Sequence, residues 1–132
     1  MTLGRHTLSE DARRVYDRMV IAAVGKSKAV TPYRIYEFVF GKLELERAID
    51  RVIRQKAYNI IRHIRKHWSV VCELHEGKQR SGYFIPATIG EVESWLSERW
   101  ADYGARGQTL RQQTEMAKSM FPELNNQSEF NF

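Results

Sequence analysis

The stretch Lys56-Ala57-Tyr58-Asn59-Ile60-Ile61-Arg62-His63-Ile64-Arg65-Lys66-His67-Trp68 and, after Ser69, Val70-Val71-Cys72-Glu73-Leu74-His75 is where a helical period gives way to a strand. Ala57, Ile60, Ile61, Ile64 and Trp68 recur at three- and four-residue steps, which lines one face of a helix. Val70 to His75 reads instead as a strand, Glu76 to Gly82 as a turn and Tyr83-Phe84-Ile85 as the return strand, with Lys78 and Arg80 making the hairpin tip basic. Upstream, Leu45, Ala48, Ile49, Val52 and Ile53 keep the helical period, and neither glycine nor proline interrupts Leu43 to Trp68. The expectation is one long helix, or two with a kink near Gln55.

Toward the N-terminus, Thr7-Leu8-Ser9-Glu10 has the form of a capping box, in which a hydroxyl and a carboxylate serve free N–H groups at a helix start. A first helix follows, with Ala12, Val15, Tyr16, Met19, Ala22 and Ala23 on its apolar face, ending near Gly25. Thr31-Pro32 opens a second, short helix that runs to about Phe40, with Gly41 placed to stop it. Toward the C-terminus, Thr88-Ile89-Gly90-Glu91 is another capping box, leading a helix through Val92, Trp95, Leu96 and Trp100 to about Tyr103. Thr109 to Met120 reads as a further helix closed by Phe121-Pro122, and the residues from Glu123 on show no period and read as a flexible tail.

The chain has 132 residues, 42% hydrophobic and 28% charged, which suits one soluble domain of ordinary size. No apolar run approaches the roughly 18 residues that would span a bilayer. Met1-Thr2-Leu3-Gly4-Arg5 lacks the apolar core of a signal peptide, and the expected location is the cytoplasm. The only cysteine, Cys72, cannot form an internal disulfide and reads as a small core residue.

The net charge of +5 is unevenly distributed. Residues 1–86 carry 17 Lys and Arg against 9 Asp and Glu, whereas residues 87–132 carry 4 against 7. Within residues 47–66, seven basic side chains face Asp50 alone. Arg47, Arg51, Arg54, Tyr58, Arg62 and Arg65 fall at helical spacing and would form one stripe on an unbroken helix, with Gln55, Asn59, His63 and Lys66 alongside. Such a stripe matches phosphates, and arginine forks onto guanine as Asn and Gln fork onto adenine in the major groove. Gln55, Asn59 and Arg62 are the base-reading candidates, while Arg54, Lys56, Arg65 and Lys66 suit the backbone and Lys78 and Arg80 a neighbouring phosphate or the minor groove.

Helix, short helix, long basic helix and glycine-turned hairpin is an order that resembles the winged helix-turn-helix proteins of phages and prophages. The similarity runs from about residue 10 to residue 86, through Lys56 to Arg65, the Gly82-Tyr83-Phe84-Ile85-Pro86 strand and the Thr-capped helix after it. A longer helical lead, Gly41 to Gln55, stands where that family has a tight turn. The resemblance implies a fold that is mainly α with a small β-hairpin, divided into a winged helix-turn-helix domain at 1–86, a C-terminal helical extension at 87–121 and a tail at 122–132. It implies a non-catalytic regulator of transcription or replication that binds double-stranded DNA.

Other readings stand beside this one. A charged helical stripe can be a plain solvated face. His63 and His67, four apart on a helix, have no third ligand close in sequence, His75 being eight residues further on, so no metal or other cofactor is expected, and Trp68, Trp95 and Trp100 read as core. No carboxylate pair, nucleophile arrangement or phosphate-binding glycine loop suggests an enzyme. The C-terminal helices either form a homodimer contact or pack back on the first helix. The tail Gln127-Ser128-Glu129-Phe130-Asn131-Phe132 resembles the hexapeptide by which bacterial proteins dock on the DNA polymerase sliding clamp, with Gln127, Phe130 and Phe132 at the matching places and Ser128 and Phe130 where leucine is usual. The alternative function is therefore a protein-interaction module that binds or inhibits a host protein through its C-terminal helices or tail.

Overall fold

Thr7 starts the first helix as its spacing to Glu10 requires. Its hydroxyl oxygen accepts from the Glu10 N–H at 3.2 Å, and α1 runs over Leu8–Ala22 with Ala12, Val15 and Met19 buried. The computed structural model describes the backbone of residues 7–76, 79–103 and 107–126 and the side chains of 7–74, 82–98 and 111–124. The N–H of Arg34 likewise donates to the Thr31 hydroxyl at 3.1 Å, and with Pro32 in the first turn this opens α2, Pro32–Arg47. Gly41 breaks α2 at φ 86°, ψ 165°, a conformation side chains other than glycine's adopt reluctantly, and a short helical segment resumes to Arg47.

The expected long helix from Leu43 is divided, and not at Gln55. Ala48 (ψ 146°) and Ile49 (ψ 151°) are extended, and α3 is Asp50–His67. The break lets Leu45 and Ala48 half-bury while Leu43 and Ile49 remain 59% exposed. A continuous helix would have kept one apolar seam, but the observed chain turns between two. No glycine or proline marks the place, and for that reason periodicity runs straight through it.

The hairpin pairs β1 (Cys72–Glu76) with β2 (Gln79–Phe84), Cys72 opposite Phe84 and Leu74 opposite Gly82, with an irregularity between Leu74 and His75. The strands extend further toward the tip than the sequence pattern suggests, which shortens the turn. The chain ahead of α2 lies along β2. Val30 and Tyr83 exchange backbone hydrogen bonds at 2.8 and 2.9 Å, and Ile85 accepts from the Gly25 N–H and donates to the Ala23 carbonyl, both at 2.8 Å. Gly82 permits this approach, because a Cβ there would stand 3.2 Å from the Val30 carbonyl oxygen and 3.3 Å from the Ala29 methyl.

Strand alternation gives the hairpin two apolar faces. Val71, Tyr83 and Ile85 join Ala12, Val15, Met19, Ile35, Val39, Ala57, Ile60, Ile61 and Ile64 in a core between α1, α2 and α3. Val70, Cys72 and Phe84 turn the other way, onto Val92, Trp95 and Leu96 of α4 (Ile89–Tyr103), Ala117 of α5 (Gly107–Met120) and Leu124. The C-terminal helices therefore cover the outer face of the hairpin, with α5 also against α3. Among the described residues neither helix takes α1 as a main partner, so packing back on the first helix, one of the two alternatives for them, is not the arrangement found. The first residues of the expected tail are ordered, since Pro122–Asn126 form a 3-10 turn that fixes Leu124 at 1% exposure. The molecule is mainly helical with a small antiparallel hairpin, and among the described residues no helix is long and apolar enough to cross a membrane.

Candidate nucleic-acid interface

Ile53, Ala57, Ile60, Ile61 and Ile64 fix the rotation of α3 by facing the first core. At about 100° per residue, the direction opposite that face is occupied by Arg51, Gln55, Asn59, Arg62 and Lys66, all exposed. Among the described residues Arg51, Arg62 and Lys66 enter no ion pair. Gln55 Nε2 donates to Asn59 Oδ1 at 3.1 Å between them. The basic line on the solvent side is thus rotated from the stripe expected on sequence spacing.

Two members leave that stripe. Arg47 is exposed but belongs to the last turn of α2, ahead of the Ala48-Ile49 break, so it does not continue the line of α3. Arg65 is buried, at 6% exposure, and is corrected from a phosphate contact to an anchor. Its Nη2 lies 2.9 Å from Glu73 Oε1, its Nε donates to the Val71 carbonyl at 2.9 Å, and its guanidinium stands 5.3 Å from the Trp95 ring centroid and 5.9 Å from that of Tyr83. Buried among these partners, the guanidinium faces the interior and not a solvent-side phosphate. Its spacing suggested the stripe because position 65 lies at the boundary of the buried arc.

The remaining candidates flank the line. Arg54 is drawn to Asp50, 3.1 Å away, and stacks 5.4 Å from the Tyr33 ring centroid, which brings α2 and α3 together at the start of the helix. Lys56 is exposed with its ammonium 4.7 Å over Phe40, and Tyr58 is half-buried. His63 is half-buried in contact with His67 (4.5 Å between ring centroids) and Trp68 (5.3 Å). Burial, then the neighbouring His67 and Lys66, lowers the His63 pKa. Lys78 and the side chain of Arg80 lie outside the described residues, as do Gln127, Phe130 and Phe132 of the tail and the side chains of His75 and Trp100.

Three residues that hold α3 escaped the sequence reading. Glu73, the partner of Arg65, shares strand parity with the inward Val71, and an inward carboxylate on a strand was a signal that a cation must meet it. Gln112 Nε2 donates to the Lys66 carbonyl at 2.6 Å, and Gln113 Nε2 donates to the Arg65 carbonyl. Consecutive glutamines of α5 thereby serve carbonyls that the end of α3 leaves without helical partners, and no spacing rule announces such a distant cap. Cys72 is buried in the second core, where burial pushes its thiol up to about 12 and keeps it protonated. Val92, Trp95 and Leu96 of α4 and Ala117 of α5 are turned inward onto the second core, while Met120 at the end of α5 is 38% exposed. Comparison with protein families, curated proteins and solved structures finds no match to this chain.

Proposed function

We propose that the protein is a non-catalytic double-stranded DNA-binding protein of winged helix-turn-helix type, regulating transcription or replication, with α3 in the major groove and the hairpin beside it. The observation that carries the reading is the exposed line Arg51, Gln55, Asn59, Arg62 and Lys66, in which two central amides are flanked by cations that enter no ion pair among the described residues. Cations at the ends of such a line suit phosphates or guanine, and amides at its centre suit base edges. The antiparallel contact of Val30 with Tyr83 supports the winged arrangement, because it ties the segment before α2 to the second hairpin strand. The burial of Arg65 also supports the reading, since it locks the far end of α3 and leaves the outer face to meet a duplex as a rigid surface.

Titrating a labelled duplex at two salt concentrations tests it. If Arg51, Arg62 and Lys66 each replace a counterion on the duplex, affinity falls about 40-fold between 50 and 200 mM salt. Charge reversal at Arg62 should weaken binding at every sequence. Affinity indifferent to salt, or untouched by Arg62→Glu, would refute the proposal.

A further inference from the structure

Gln55 and Asn59 differ from the other exposed residues of α3 in being bonded to one another. Gln55 Nε2 donates to Asn59 Oδ1 at 3.1 Å, at the centre of the line between Arg51 and Arg62, with both side chains exposed. A carboxamide has two N–H bonds and one carbonyl, so this contact leaves the two partners unlike. Gln55 keeps its Oε1 and one N–H, the acceptor and donor that adenine N6 and N7 demand together. Asn59 has one lone pair of its oxygen taken and both Nδ2 hydrogens free, so its donors dominate what it presents outward, suited to guanine O6 or N7 or to thymine O4. Four residues of helix rise about 6 Å and base pairs are stacked about 3.4 Å apart, so the two amides reach neighbouring positions on a duplex.

We infer that Gln55 and Asn59 read DNA as one hydrogen-bonded unit: Gln55 selects adenine, while Asn59 positions the Gln55 amide and donates to a guanine or thymine at a neighbouring pair. This rests on α3 being the DNA-reading helix. Pre-orientation distinguishes the unit from two independent contacts. A free glutamine turns its amide end for end and accepts several bases, whereas one tethered through its N–H presents a single donor and acceptor order.

The test is selection of duplexes from a random pool by the full chain and by Gln55→Ala, Asn59→Ala and Asn59→Asp. The wild-type chain should select adenine beside guanine or thymine. Asn59→Ala should relax both positions, with the adenine preference falling about 10-fold, because it removes the tether as well as the donor. Asn59→Asp retains an acceptor for Gln55 and should keep the adenine preference while losing the neighbouring one. Unfolding midpoint and salt slope should be unchanged in Gln55→Ala and Asn59→Ala, since neither removes a charge or a buried group. A wild-type chain without base preference, or an Asn59→Ala variant relaxed at one position only, overturns the inference and leaves DNA binding standing. A wild-type chain without salt-dependent duplex binding overturns both.

Discussion

Arg65 and Glu73 meet at 2.9 Å with side chains 7% and 1% exposed, a geometry in which each charge depends on the other for its solvation. Removing one partner strands the second in a medium that solvates it poorly, which costs about 3–5 kcal/mol, whereas replacing both with apolar groups of similar volume is often neutral. Arg65→Met should therefore lower stability by about that amount in urea unfolding, and adding Glu73→Leu to it should restore most of the loss. A double variant no more stable than the single would show that Glu73 is not the group left stranded. Glu91 gives a pH counterpart. Burial pushes its carboxyl up, but the N–H groups of Lys26, Ala87 and Thr88 and the Lys26 charge outweigh burial and leave it below its ordinary value. Two of those bonds, from Lys26 and Ala87, are 2.8 Å long. A folded value below the unfolded one, about 4.3, means stability is fully present above that pH and is lost as pH falls through the folded value. Glu91→Gln should flatten the decline of the urea midpoint below about pH 4.5, and an unchanged acid limb would place that sensitivity on other carboxylates.

At the scale of elements, the hairpin explains why the chain continues past Pro86. Its strands alternate between two cores, so a chain ending there would expose Val70, Cys72 and Phe84 to water. Truncation after Pro86 should yield a protein that binds a hydrophobic dye and loses cooperative unfolding; a truncated chain with a sharp transition would mean that the first core suffices. Gly41→Ala should cost about 1–2 kcal/mol, although a Cβ there meets nothing within 4 Å, because the strain lies in the backbone at φ 86°. The capped starts of α1, α2 and α4, the glycine break and the hairpin were legible in the sequence, since a hydroxyl, a proline or a period-two run each has one local meaning. The break at Ala48-Ile49 was not, because it arises from which apolar residues find a neighbour. The fate of Arg65 was not legible for the same reason: spacing gives a direction around a helix, and only packing says where the buried arc ends.

Across the whole molecule, stability and the proposed DNA contact rest on different residues. The interior groups that hold α3 are Arg65 with Glu73 and the carbonyl caps from Gln112 and Gln113, while the outward charges Arg51, Arg62 and Lys66 are unpaired among the described residues. Exposed cations outside ion pairs contribute little to folding, and removing them relieves repulsion within a basic half-molecule. Neutralising all three to alanine should leave the unfolding midpoint near its wild-type value while reducing the slope of log affinity against log salt by about 2.7, at about 0.9 per phosphate contact. Gln112→Ala with Gln113→Ala should do the reverse. It frees carbonyls at the end of α3 and lowers stability by about 1–3 kcal/mol, yet removes no charge and leaves the salt slope intact. Calorimetry and duplex titration on the same two variants read both quantities. If the triple variant unfolds early, the outward charges belong to the fold; if the glutamine variant loses the salt slope, the end of α3 belongs to the DNA contact.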